Sequence, residues 1–132
     1  MRSIKFRAWV NILIDPFMTY QVDDIDFQDK RVFCDNSLMF DMPEDAILMQ
    51  FTGLFDKNGK EIYEGDIGKV LKKNYEYKKP DYPISTIVFE DASFWIKPSK
   101  ENWTWLVMRN RQVEIIGNIY ENPELLKETP NE

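Results

Sequence analysis

Carboxylate side chains are the groups in this sequence that could bind a metal ion. Four of them fall within seven positions, namely Asp23, Asp24, Asp26 and Asp29. Their oxygen atoms are the ligands that magnesium prefers, so a carboxylate-bound metal hydrolase is one interpretation of this run. In a strand, however, Asp24 and Asp26 would share one solvated face while Phe27 pointed inward. Metal sites usually collect carboxylates from separate segments, and we therefore favour the solvated strand face.

The absence of histidine limits the chemistry further. Histidine is the commonest general base and metal ligand at neutral pH, so neither a Ser-His-Asp nor a Cys-His nucleophile can be built. The single cysteine, Cys34, has no cationic neighbour in the sequence and is expected to be a small, partly buried hydrophobe. One cysteine excludes an intramolecular disulfide and fits a reducing cytoplasm. We expect no enzyme, no catalytic residue and no cofactor.

A lysine-rich segment is the candidate for contact with nucleic acid. Residues 69–79 hold five lysines interleaved with two tyrosines, and such a strip could bind phosphates while its rings stack on bases. The candidate contact residues are Lys72, Lys73, Tyr75, Tyr77, Lys78 and Lys79. The net charge of −6 and the pI of about 4.8 oppose nonspecific binding to a nucleic-acid backbone. A lysine-rich loop that discourages strand pairing is the favoured alternative.

Aromatic residues indicate a surface for self-association. The chain carries four tryptophans, nine phenylalanines and six tyrosines, and several of them fall on opposite faces of the predicted strands. A small sheet covers one face with its own core, so the other often needs a partner. We expect a homo-oligomer with Trp9, Trp103 and Trp105 at the subunit contact. Alternatively, an N-terminal sheet (about 1–52) and a barrel (about 53–120) cover each other within one chain. Trp95, Trp103 and Trp105 fall in neighbouring predicted strands, and we favour one cluster in the core or at a subunit contact over a ligand-stacking platform.

Two closely spaced turns organise the middle of the chain, between Met49 and Ile67. Asn58-Gly59 supplies the positive φ angles of a tight hairpin, and Glu64-Gly65-Asp66 makes a second reversal. Three segments must then lie side by side as a meander. The oxygen-bearing residues of the first turn resemble a calcium loop, but the glycine stands at position four rather than six. We favour a turn whose side chains bind its own backbone.

The remaining pattern predicts further strands and a short C-terminal helix. Strand pairs are expected at Ile84–Glu90 with Ser93–Lys97, about a turn at Asp91-Ala92, and at Trp103–Met108 with Gln112–Gly117. Near the end, Asn122 is expected to cap a helix and Pro123 to occupy its first position. No apolar run is long enough for a membrane helix.

Three sequence blocks span nearly the whole chain: Ile4–Trp9, Met49–Leu54 together with Asp56–Ile67, and Glu114–Leu126. In this order they resemble the YopX proteins of bacteriophages and prophages. The chain departs from that family in being apolar after Trp9 and in having Ala92 where a turn glycine is expected. The resemblance implies a mostly β, phage-encoded accessory protein inside a bacterial cell. It implies no catalytic residue and no cofactor.

Taken together, these features predict a single, mainly β domain over residues 1–132. An N-terminal sheet is expected over about 1–52, a small bent SH3-like barrel over about 53–120 and a helix over about 122–128. The expected function is assembly or interaction with an unidentified phage or host protein in the bacterial cytoplasm. Association with a membrane is not expected. The alternatives are a nucleic-acid-associated protein and a carboxylate-bound metal hydrolase.

Overall fold

The computed structural model is mainly β and describes residues 3–12, 14–70, 72–74, 79–81, 84–98 and 102–127, with backbone alone for 72–74 and 79–81. Its strands are β1 (Phe6–Val10), β2 (Phe17–Thr19), β3 (Val22–Asp26), β4 (Arg31–Cys34), β5 (Leu38–Asp41), β6 (Ala46–Phe55), β7 (Glu61–Tyr63), β8 (Asp66–Val70), β9 (Lys72–Asn74), β10 (Lys79–Asp81), β11 (Ile84–Glu90), β12 (Ser93–Pro98), β13 (Thr104–Trp105) and β14 (Val113–Asn118). One α-helical turn, α1 (Leu106–Arg109), and two 3₁₀ turns, Asn110–Gln112 and Pro123–Leu126, complete the elements. The mainly β class predicted from the sequence is confirmed.

The chain divides into two compact units, Met1–Phe51 and Thr52–Glu132. In the first unit β1 lies between β2 and the first half of β6, and β3, β4 and β5 form a separate antiparallel sheet. Its core contains Val10, Val32 and Ala46, each fully buried. The rings of Phe17 and Phe40 pack against this core and contact each other edge to face, with ring centroids 6.3 Å apart. The prediction of one domain for the whole chain stays a prediction.

The acidic run lies on β3 and in the turn that follows it. The Asp26 carboxylate accepts the backbone N–H groups of Gln28 and Asp29, and Asp24 accepts that of Ile25. Phe27 was predicted to point inward, and this is wrong, because its side chain is 74% exposed. A register shift between Val22 and Asp24 breaks the simple alternation, and Phe27 lies in the turn beyond the strand.

Cys34 lies at the end of β4 and is fully buried. Burial raises the pKa of its thiol, and the nearby carboxylates of Asp35 and Asp23 raise that pKa further. A raised pKa leaves little thiolate at neutral pH, so Cys34 acts as a small hydrophobe, as the sequence predicts.

The second unit is built on a five-stranded sheet in the order β13-β12-β11-β8-β14. This sheet curls into a half-barrel, which agrees with the bent sheet predicted for this part of the chain. The likeness to SH3 barrels stays a prediction. The core under the sheet consists of Ile62, Val70, Ile87, Ile96, Leu106, Val113 and Ile115. The predicted strand pair Trp103–Met108 with Gln112–Gly117 is wrong, because β13 pairs with β12, β14 pairs with β8, and Leu106 begins a helical turn.

The hairpin between β6 and β7 is held together by one buried side chain, Asp56. Its Oδ1 atom accepts the backbone N–H groups of Asn58 and Lys60, each at 2.9 Å. Its Oδ2 atom accepts the N–H of Ile115 on β14, also at 2.9 Å. Gly59 has a φ of 80°, whereas Asn58 lies outside the left-handed region, so only one of the two predicted positive φ angles is present. The turn whose side chain binds its own backbone, which the sequence favours, is thus present, with Asp56 as the acceptor.

The turn between β11 and β12 consists of Asp91 and Ala92, with φ angles of 50° and 61°. Two left-handed central residues define a type I′ hairpin turn, whose twist matches that of the flanking strands. Alanine is strained in this region because its Cβ approaches the following carbonyl oxygen. The turn predicted at these two residues is confirmed, and its second position holds alanine where a glycine was expected.

Replacing Ala92 with glycine is expected to raise the free energy of unfolding by about 1 kcal/mol, since glycine removes the Cβ strain. Chemical denaturation of the wild-type protein and of Ala92→Gly measures the difference. Ser93→Gly is the matched control, because Ser93 already has strand geometry and gains nothing from glycine. An unchanged or lower stability of Ala92→Gly would contradict the strain argument.

The short C-terminal helix is present as the 3₁₀ turn Pro123–Leu126, with proline in its first turn as predicted. Asn122 occupies the N-cap position, as predicted, but its side chain makes no cap hydrogen bond. Instead, its Oδ1 atom accepts the backbone N–H of Asn118 at 3.2 Å. Asn118 is buried and accepts the N–H groups of Tyr120 and Glu121 in turn. The two asparagines therefore close the loop after β14 rather than begin the helix.

Candidate interaction site

Three tryptophans gather on one face of the five-stranded sheet of the second unit, where β12 and β13 lie at its edge. We call Trp95, Trp103 and Trp105 the tryptophan cluster. The ring centroids of Trp95 and Trp105 are 5.7 Å apart with an interplanar angle of 44°. Those of Trp95 and Trp103 are 6.1 Å apart at 64°, which is an edge-to-face contact. Such geometries add attraction beyond the buried area itself.

Strand register explains why these rings meet. Trp95 on β12 lies directly opposite Trp105 on β13, and cross-strand partners place their side chains on the same face. The neighbours Phe94 and Ile96 point to the other face, where they pack on the core. The period of two along β12 thus separates a core face from an aromatic outer face.

The helical turn α1 follows the cluster directly and anchors it to the core. Leu106 is fully buried, while the next two side chains face outward, with Val107 66% and Met108 70% exposed. Trp105 itself is 50% exposed. Large apolar side chains therefore follow one another along this part of the surface, and exposed apolar patches commonly mark interaction sites.

Polar contacts orient two of the tryptophans. The Nε1–H of Trp95 donates to the backbone oxygen of Glu90 at 2.8 Å. The ammonium group of Lys97 lies over the ring of Trp103, 5.0 Å from its centroid, as a cation–π contact. The indole N–H of Trp95 is thereby satisfied, and its ring contributes apolar area to the surface.

The other residues predicted for a subunit contact or a nucleic-acid contact lie elsewhere. Trp9 is half-buried on β1 of the first unit, paired in register with Met18 and Ile47. The backbones of Lys72, Lys73 and Lys79 belong to β9 and β10, an antiparallel pair. Tyr75, Tyr77 and Lys78 lie outside the described residues. The structure thus brings Trp103 and Trp105 together, and the prediction of nucleic-acid contact stays untested.

Val107 and Met108 were not predicted as surface residues, because the sequence predicts a strand over Trp103–Met108. In a strand, Leu106 and Met108 would share one face, whereas in the helical turn Leu106 alone is buried. The adjacent helix-favouring residues Leu106, Met108 and Arg109 were the available signal. Three helix-favouring residues are too few to predict a helix against the strand preference of the tryptophans that precede them.

Two properties of the described residues bear on whether the protein holds a metal ion or spans a membrane with a helix. Among them, no group of three or more acidic or cysteine side chains is arranged to hold a metal ion. None of the helices within the described ranges is long and apolar enough to span a bilayer.

Comparison with known proteins identifies relatives of the whole chain. Residues 5–127 match the family model described as YopX protein. The chain is also similar to the crystal structure of protein EF1440 from Enterococcus faecalis, at 26% sequence identity and a TM-score of 0.68. That alignment covers 96% of this chain and 100% of the other. Curated proteins give no match.

Proposed function

The chain belongs to the YopX protein family, and on this premise we propose that it is a non-enzymatic assembly protein that associates with further copies of itself through the tryptophan cluster. The observation that carries the proposal is the exposure of Trp105, which is 50% exposed beside two further tryptophans. Tryptophan is enriched in the few residues that supply most of the binding energy at interfaces.

The position of the cluster suits contact with a second protein surface. It lies at the outer edge of the sheet, where β13 is the last strand. Because β13 has only two residues, its backbone offers little for pairing with a strand of another chain. The contact would therefore depend on side-chain packing of Trp105 and of the exposed Val107 and Met108 that follow it. One self-complementary patch on every copy gives a closed oligomer.

Three buried polar side chains of the second unit support a structural role rather than a catalytic one. Asp56 and Asn118 accept backbone N–H groups within their own turns. Asp66 accepts the backbone N–H of Tyr63 at 2.8 Å across the β7–β8 reversal. Each of these side chains stabilises a turn, which is the role that the sequence predicts for the family blocks around them. Within this proposal the protein is an accessory factor in phage or prophage biology, acting inside the bacterial cell.

Replacing Trp105 with glutamate is expected to convert the oligomer into a monomer. Loss of a central tryptophan typically weakens an interface by about 2 kcal/mol or more, which is roughly 30-fold in the dissociation constant, and a buried charge adds to this. Sedimentation velocity or light scattering measures the mass against the 15.8 kDa chain. Wild-type protein at high micromolar concentration should have at least twice that mass.

Phe89→Glu is the matched control for this experiment. Phe89 is also 50% exposed and lies on the same sheet, but its position next to Val88 places it on the opposite face from Trp95. Its ring packs on Phe94 rather than on the cluster. We expect Phe89→Glu to keep the wild-type mass. A strictly monomeric wild-type protein, or equal dissociation by both variants, would contradict the proposal.

A further inference from the structure

The second unit contains a cleft of about 420 Å³ beside the end of β6. It is lined by residues 53–57 together with Asn110 and Arg111. Ligand sites for small molecules commonly have volumes of roughly 300–1,000 Å³, so the cleft is large enough for one. None of these residues belongs to the tryptophan cluster.

The cleft presents positive charge on a protein whose net charge is −6. Arg111 is exposed and makes no ion pair or side-chain hydrogen bond within the described part of the chain. The Lys57 ammonium lies 3.4 Å from the Glu114 carboxylate, but both side chains are about half exposed, and such surface pairs are weak. Lys57 can therefore exchange Glu114 for a stronger anion.

Among the described residues that line the cleft, the one carboxylate is already engaged. Both oxygen atoms of Asp56 accept backbone N–H groups, from Asn58 and Lys60 on one side and from Ile115 on the other. These donors offset its charge, so it opposes an incoming anion less than a solvated carboxylate would. Arg111 has no carboxylate partner within the described residues and is therefore the cation that remains for an incoming anion.

An apolar surface adjoins these cations. The Phe55 side chain is 48% exposed at the cleft, and Leu54 beside it packs against the core. The Asn110 amide donates to the backbone oxygen of Phe55 at 2.7 Å, which ties the segment carrying Arg111 to the end of β6. Phe55 and Arg111 thus line the same cleft.

We propose that this cleft binds a small anion that carries a flat apolar ring, with the ring on Phe55 and the anionic group on Arg111 and Lys57. Arginine binds phosphate and carboxylate groups through two parallel N–H donors, and an exposed phenylalanine offers a face for stacking. A nucleoside phosphate and an aromatic carboxylate share this chemistry. The inference does not depend on self-association, because it uses other residues.

Isothermal titration calorimetry with four probes tests the ligand class. Adenosine 5′-monophosphate and N-acetylphenylalanine each combine a ring with an anion, while adenosine lacks the anion and inorganic phosphate lacks the ring. We expect one of the two ring anions to bind at least roughly tenfold more tightly than either partial probe, since each half contributes separately. The ring anion that binds identifies the phosphate or the carboxylate source.

Arg111→Ala locates the site. This variant is expected to weaken the binding of the ring anion by roughly tenfold or more, because a charge-assisted hydrogen bond is lost. Arg109→Ala is the matched control, since Arg109 lies two residues away, donates to Gln112 and does not line the cleft. Absence of binding by both ring anions at millimolar concentration would overturn the proposal. Equal weakening by Arg109→Ala would overturn it as well, and so would inorganic phosphate that binds as tightly as the ring anions.

Discussion

Replacing Asp56 with alanine is expected to lower the free energy of unfolding by about 4 kcal/mol, which is a large part of the stability of a domain of this size. The substitution leaves the N–H groups of Asn58, Lys60 and Ile115 without the acceptor they share. Hydrogen bonds to a charged acceptor contribute about 1.5–3 kcal/mol each, but water can replace the acceptor at the exposed Asn58 and Lys60, whereas the N–H of the buried Ile115 is left unpaired. Urea denaturation followed by circular dichroism measures the loss.

Asp56→Asn refines this test, because asparagine keeps only one acceptor oxygen. It can bind either the turn amides or the β14 amide, so its stability should fall between those of the wild type and the alanine variant. Asp29→Ala is the control for removing a carboxylate, since Asp29 is exposed and its carboxylate is not engaged in this way. Equal stability of Asp56→Ala and Asp29→Ala would refute the role assigned to Asp56.

Replacing Leu106 with alanine is expected to lower the free energy of unfolding by about 3 kcal/mol, as for other buried leucines. Leu106 is the one residue of α1 that is buried, and it packs in the core of the second unit with Ile87, Ile96 and Val113. Its removal leaves a cavity beneath the segment that carries Trp105. Thermal and urea denaturation measure the stability, and amide hydrogen exchange of residues 104–108 measures local opening, which should become faster.

Val107→Ala is the matched control, because Val107 is the next residue in the same helical turn and is 66% exposed. Its substitution should change the free energy of unfolding by about 0.5 kcal/mol or less. If Leu106→Ala were as mild as Val107→Ala, α1 would not be the anchor of this segment. The result also bears on assembly, since a loosened Trp105 should associate more weakly.

Asp56 connects two of the sequence blocks that carry the resemblance to the family. The block Met49–Ile67, apart from Phe55, and the block Glu114–Leu126 carry the resemblance to YopX proteins. The structure joins them through the bond from Ile115 to Asp56, across 59 positions of sequence, and the bond from Lys57 to Val113 lies beside it. The parts of these two blocks that lie in the second unit are therefore joined directly by backbone and side-chain hydrogen bonds.

Local chemistry allowed much of the fold to be predicted from the sequence. The mainly β class follows from short alternating runs, and the reversals at Gly59, at Gly65 and at Asp91-Ala92 follow from residue types that favour turns. These features depend on neighbours a few positions apart, so the sequence carries them directly. Alanine at position 92, where a turn glycine is expected, can likewise be recognised from the sequence alone.

Long-range pairing could not be predicted in this way. The sequence did not indicate that Asp56 reaches β14, that β13 pairs with β12, or that Leu106 leaves the strand to enter the core. Each of these depends on contacts between distant segments, and tertiary burial outweighs the local preference of a short apolar run. The tryptophan cluster and the cleft at Arg111 follow from the same pairings. The sequence by itself determined most of the strands and turns, whereas the tertiary structure decided which side chains meet, because only packing sets register across the sheet.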